Sequence, residues 1–133
     1  MTKNRKNKFY LLIAGTRTFN DYGLLSSEIK RLTSRYNNDI CIVSGGARGA
    51  DALAKRYAED NGLEYIEFKA EWDKYGKSAG PIRNKEMHQF ISKFDNRGCV
   101  LFWDGKSKGT QYNVELSRKY NNQLRIVKYK DET

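Results

Sequence analysis

Two short apolar runs in this chain each end in a glycine-rich turn, and each turn leads into a helical pattern. Ile40-Cys41-Ile42-Val43 runs into Ser44-Gly45-Gly46-Ala47-Arg48-Gly49-Ala50-Asp51. Cys99-Val100-Leu101-Phe102-Trp103 runs into Asp104-Gly105-Lys106-Ser107-Lys108-Gly109-Thr110. Strand, glycine turn and helix N-terminus together form the unit by which a parallel α/β sheet turns backbone N–H groups toward an anion. Its occurrence twice, with arginine or lysine inside each turn, points to a phosphate-bearing ligand.

The rest of the chain keeps the same rhythm. Apolar runs at 10–14, 40–44, 64–68, 99–103 and 124–128 alternate with four helical patterns. The first, 22–36, places Leu25, Ile29, Leu32 and Tyr36 on one face behind Asp21 as N-cap. The second, 49–61, turns Ala50, Leu53, Ala54, Tyr57 and Ala58 inward and stops at Gly62. The third begins at Pro81, a favoured first helical position, with Met87, Phe90, Ile91 and Phe94 inward, and the fourth follows Thr110. Alternation at these lengths predicts right-handed crossovers and an α/β fold: a Rossmann-like three-layer sandwich with a doubly wound, mainly parallel five-stranded sheet. With 133 residues there is room for one domain, expected at 9–133 behind a flexible basic arm at 1–8. The arm carries Lys3, Arg5, Lys6 and Lys8 and reads equally as a solubilising tail or a nucleic-acid contact.

A net charge of +9 favours anionic partners, nucleotide or nucleic acid, without choosing between them. Cys41 and Cys99 lie inside apolar runs and read as buried thiols of a reduced, cytoplasmic protein. No stretch has the length of a membrane span, so no membrane partner is expected. No cluster has metal-ligand spacing, and neither a metal nor a cofactor is expected. His88, the single histidine, falls mid-helix beyond the glycine turns, which argues against histidine acid–base chemistry.

In a doubly wound sheet the strand C-termini share one edge, where ligands bind. Four unusual segments fall there: Gly15-Thr16-Arg17, the turn from Ser44 to Asp51, the aperiodic loop 69–79, and the turn from Asp104 to Thr110. Gly45, Gly46 and Gly49 allow close approach of a ligand, with Arg48 among them, and Asp51 either caps the helix or touches the ligand. Gly105, Lys108 and Gly109 form the second turn. Thr110 serves there as N-cap or phosphate-binding hydroxyl, and Asp104 as acceptor for a ribose or for the turn itself. Arg17 and Arg83 suit bidentate phosphate contact, an ion pair with Glu86 being the alternative for Arg83. Trp72 and Tyr75, in the long loop, are placed to close over a base as a lid. Packing alone accounts for Trp103.

These segments resemble a known family. Ile13-Ala14-Gly15-Thr16-Arg17, the run around Arg48, Trp72-Asp73-Lys74-Tyr75-Gly76-Lys77 with Ala79-Gly80-Pro81 and Arg83-Asn84, and Asp104-Gly105 with Lys108-Gly109-Thr110 are similar to the YspA-like branch of the SLOG (Smf/DprA–LOG) superfamily. The resemblance implies a Rossmann-like fold and a nucleotide-derived ligand, related to ADP-ribose or NAD or to a cyclic-nucleotide signal. It implies a sensor or a sequestering sponge, the latter a phage protein acting against host immune signalling, and a homodimer or higher oligomer. LOG phosphoribohydrolases pair an arginine early in a helix with glutamates soon after a glycine-threonine turn. Arg83-Asn84 is similar to the first motif, but after Gly109-Thr110 stand Gln111, Tyr112 and Asn113, and the first carboxylate is Glu115. The resemblance therefore leans toward binding without catalysis. A phosphoribohydrolase using Arg83 with Glu115 or Asp104 is the second reading, and a DprA-like single-stranded nucleic-acid binder the third.

Overall fold

The computed structural model describes residues 8–36 and 39–130. Five parallel strands form one sheet: β1 (Phe9–Gly15), β2 (Ile40–Ser44), β3 (Glu64–Glu67), β4 (Arg97–Trp103) and β5 (Gln123–Lys128), in the order β3-β2-β1-β4-β5. The helices are α1 (Tyr22–Thr33), α2 (Ala50–Asp60), α3 (Trp72–Tyr75), α4 (Ala79–Ile91) and α5 (Lys108–Lys119). The predicted α/β three-layer architecture is the one observed.

Why each strand sits where it does follows from its side chains. β1 is apolar at nearly every position and lies at the centre, pairing Leu12 with Val43 on one side and Cys99 on the other. Alternate residues of β1 face opposite layers, because strand side chains alternate with period two. Leu11 and Ile13 join Ile42, Val100 and Phe102 under α1 and α2, where Leu25, Ile29, Ala54 and Tyr57 close the core. Leu12 and Ala14 join Cys41, Val43, Cys99 and Leu101 under α4 and α5, which contribute Met87, Ile91 and Val114. Strands covered on both faces need such continuous apolar runs, whereas the edge strands β3 and β5 keep polar residues toward solvent.

Local signals set most element ends. Asp21 caps α1 by accepting from the Leu24 N–H at 3.0 Å. α2 closes through Gly62, at φ +63°, with the Leu63 N–H donating to the Ala58 carbonyl at 2.9 Å. Other ends differ from expectation. The first helix passes into a 3₁₀ turn at Ser34–Tyr36. The loop expected to lack structure holds α3 and a 3₁₀ turn at Gly76–Ser78, and α4 starts at Ala79, two residues before Pro81. A four-residue helix leaves no periodicity to read. At α5 the N-cap is Ser107, not Thr110: its Oγ accepts from the Thr110 N–H at 3.3 Å, and Thr110 lies one turn inside the helix. Of the basic arm, residues 1–7 lie outside the described residues. Lys8 is pinned against Glu64 and Asp39 and so belongs to the folded body rather than to an arm.

Candidate functional site

The crossover from β3 through α4 to β4 carries the chain to the other side of β1 and to the opposite face of the sheet. The loops after β1 and β4 therefore leave in opposite directions, and a crevice opens between them at the carboxyl edge. Thr16 ties the two lips together. Its N–H donates to the Phe102 carbonyl at 2.9 Å, and its Oγ1 accepts from the Asp104 N–H at 3.2 Å.

This crevice is a cleft of about 920 Å³. Of the residues predicted for the site, Gly15, Thr16, Arg17, Asp51, Trp72, Arg83, Asn84, Asp104, Lys108, Gly109 and Thr110 line it. A second cleft of about 480 Å³ adjoins it, lined by Gly45, Gly46, Arg48, Glu67 and Lys69 and sharing Arg17, Trp72 and Arg83 with the first. The Arg17 guanidinium lies over the Trp72 ring at 5.9 Å, on the divide between the two. Ser44, Gly49, Tyr75, Gly105 and Glu115 line neither cleft. Ser44 instead donates to the Ile13 carbonyl at 2.6 Å, and Glu115 is exposed on the outer side of α5. Tyr75 stands beyond the rim with Lys74 at 5.0 Å from its ring.

Charge in the larger cleft is one-sided: Arg17, Lys77, Arg83, Lys106 and Lys108 face only Asp51 and Asp104. Arg83 is buried, with Nη1 donating to the Gly45 carbonyl and Nε to Asn84 Oδ1 at 2.9 Å. Glu86 is exposed and forms no ion pair with it. Burial lowers the Arg83 pKa from its ordinary value, Asp51 opposes this, and nearby Arg17 adds to it. Asp51 is itself buried, and the loss of water pushes its carboxyl up to about 6, although the Ala47 N–H donates to it at 3.1 Å and Arg83 lies near. Asp104 accepts from the N–H groups of Lys106 and Ser107 at 2.8 and 2.9 Å and so shapes the second turn. Trp103 braces that turn from below, donating from Nε1 to the Ser107 carbonyl at 3.0 Å.

Sequence reasoning missed Lys77, Glu67 and Asn113. Lys77 and Glu67 could have been found by assigning the segments that flank the edge. Asn113 is brought to the cleft wall by the packing of α5 on α4, which no local pattern announces. Among the described residues no three His, Cys, Asp or Glu side chains come together as metal ligands, and no helix is long and apolar enough to cross a membrane. Cys41 and Cys99 are buried thiols, held protonated by desolvation at pKa values of about 11 and 12.

Three similarities accompany this geometry. The chain is 33% identical over 118 residues to the Gene 61 protein of Mycobacterium phage D29, covering 82% of this chain and 88% of that one. Its fold matches DNA processing protein A (DprA) of Streptococcus pneumoniae with a TM-score of 0.67 at 17% identity, over 91% of this chain but only 50% of that one, so it spans half the length of that protein. DprA of Helicobacter pylori, whose structure is described for its single-stranded DNA binding mode, matches with a TM-score of 0.67 at 18% identity over 98% of this chain and 71% of that one. Residues 9–75, from β1 through α3 and including the first glycine turn, match the YspA, cpYpsA-related SLOG family, and the chain belongs to it.

Proposed function

We propose that the larger cleft binds a phosphate-bearing, nucleotide-derived ligand of the ADP-ribose, NAD-related or cyclic-nucleotide kind and holds it without breaking it. The observation that carries this reading is the crevice at the switch point of the sheet, where five cations face two carboxyls. Phosphate would sit against Lys108 and the first turn of α5, whose N–H groups supply donors and the positive end of the helix dipole. Arg17, with Trp72 beneath it, would clamp the second charged or aromatic part of the ligand. Arg48 would assist from the smaller cleft. Retention without hydrolysis is favoured because Glu115 lies outside the cleft and Asp104 is occupied by its own turn. Likeness to a mycobacteriophage protein supports the sponge over the sensor, acting in the cytoplasm against a host signal. A homodimer or higher oligomer belongs to the same reading, by analogy with LOG relatives alone.

A test is to incubate the protein with ADP-ribose, re-isolate it, denature it and identify what is released by mass spectrometry. Intact ADP-ribose is expected from wild type, with release reduced about tenfold in Arg17→Ala. Free base or ribose phosphate in the released fraction would instead establish a hydrolase.

A second reading, single-stranded nucleic-acid binding, is favoured by one observation: Trp72 is 50% and Tyr75 38% exposed beside the cationic rim, the form of a stacking platform. A gel shift with an oligothymidylate that weakens steeply with salt, and is lost in Trp72→Ala, would establish it.

A further inference from the structure

Beneath the larger cleft runs a chain of four polar side chains linked by hydrogen bonds. It begins at Arg97, at the start of β4, whose Nε donates to Asn122 Oδ1 at 2.6 Å. A guanidinium has no acceptor, so the atom of Asn122 that meets it must be the oxygen. The Asn122 amide nitrogen is thereby turned to His88, where it lies 3.1 Å from Nδ1 and 3.4 Å from the backbone carbonyl oxygen, one acceptor for each of its two hydrogens. An NH₂ group only donates, so Nδ1 must be the bare nitrogen of the ring, and in a neutral imidazole the proton then sits on Nε2. Nε2 lies 3.2 Å from Asn113 Oδ1 and donates to it. The last amide in the series is therefore oriented as well, with its oxygen inward and its NH₂ outward.

The surroundings hold the ring neutral. His88 is completely buried, and the loss of hydration pushes its pKa down to about 4, against a weaker upward pull from Asn113. Asn122 and Asn113 are 5% and 3% exposed. No protein acceptor meets Asn113 Nδ2 among the described residues, and Asn113 is part of the cleft wall. We infer that Asn113 is a ligand-reading residue, presenting amide N–H donors to an oxygen acceptor of the bound molecule, a phosphate or ribose oxygen. Arg97, Asn122 and His88 are positioning residues that fix which end of the amide the ligand meets. This rests on the cleft being the nucleotide site proposed above, and it adds a selection rule: the ligand must offer an oxygen lone pair at the foot of α5, and a ligand offering an amino group there is rejected.

The chain contains one histidine, so protein labelled with ¹⁵N-histidine yields a single ring to read. A long-range ¹H–¹⁵N spectrum of the free protein at pH 7 is expected to show the proton on Nε2 and a bare Nδ1. A proton on Nδ1, or on both nitrogens, overturns the orientation of Asn113. The second arm is calorimetry with ADP-ribose and with AMP as probes. Asn113→Asp keeps an oxygen for His88 Nε2 and replaces only the cleft-facing NH₂ by a negative oxygen. It should weaken binding on the order of a hundredfold, against about tenfold for Asn113→Ala. Melting curves near wild type check that both variants fold. Wild-type binding with both variants within twofold of it overturns the role of Asn113 alone. Failure of wild type to bind either probe overturns the nucleotide site and this role with it, whereas a proton on Nδ1 in the spectrum of a protein that binds overturns the role and leaves the site standing.

Discussion

In the turn after β2, a methyl group on any of three glycines would run into the protein; in the turn after β4 it would meet nothing. A Cβ on Gly45 would lie 2.5 Å from Arg83 Nη1, one on Gly46 2.7 Å from a Glu67 carboxylate oxygen, and one on Gly49 2.5 Å from the backbone of Thr16 and Arg17. Gly105 and Gly109 have no neighbour within 4 Å. The first turn therefore needs its glycines so that three loops and a buried arginine can close against one another. The second has glycine for a positive φ at Gly105, +84°, and for an open floor at Gly109. Similar glycine patterns thus arise from different demands, close packing against neighbouring loops in the first turn and a positive φ with open space around it in the second. A glycine-rich turn by itself is a weak indicator of ligand contact; what it faces is the stronger one.

The largest effect that separates the two turns is on stability. Gly49→Ala should lose about 3 kcal/mol or more, because its φ of +77° and its backbone neighbours leave no place for a side chain. Gly109→Ala, at an open helical position, should gain up to about 1 kcal/mol. Urea midpoints with unchanged slopes would measure both. Equal destabilisation of the two variants would erase the contrast.

A second difference is electrostatic. The first turn buries Asp51, an acid raised to about 6, and the second turn's helix α5 packs over His88, a base lowered to about 4. Between pH 4 and 6 the native Asp51 holds a proton that the unfolded chain has released, so this group stabilises the fold as pH falls. Over the same window the unfolded His88 binds a proton that the native ring refuses, so it destabilises the fold as pH falls. Each slope is about 1.4 kcal/mol per pH unit, and they oppose each other. Wild-type stability should be nearly flat from these two groups between pH 6 and 4. Asp51→Asn should weaken steadily on acidification, and His88→Gln should strengthen. Thermal melts across the window would check the signs, and two variants sloping the same way would refute the assignment.

The smallest effect concerns which cleft receives phosphate. Lys108 lines only the larger and Arg48 only the smaller. Lys108→Glu should reduce ADP-ribose affinity about tenfold by calorimetry, and Arg48→Glu less than threefold. The reverse ranking would move the site to the smaller cleft.

Much of this architecture is legible in the chain itself. Apolar runs flanked by glycine and capping residues mark β2, β4, α1 and α2 because strand burial and helix termini obey local rules. The same local rules fail at α3, too short to repeat, and at Thr110, where Ser107 lies three residues ahead and takes the cap.

The linear order of residues settled which segments become the five strands and the four longer helices and which of their ends share an edge, since hydrophobic period and backbone preference act over a few residues. Only the tertiary fold decided that Arg83 fills the space above Gly45, that Trp72 meets Arg17, and that a buried histidine orients Asn113. Those contacts join residues 25 to 55 positions apart, and their geometry is set by how α4 and the edge loops pack on the sheet, which no short window of sequence contains.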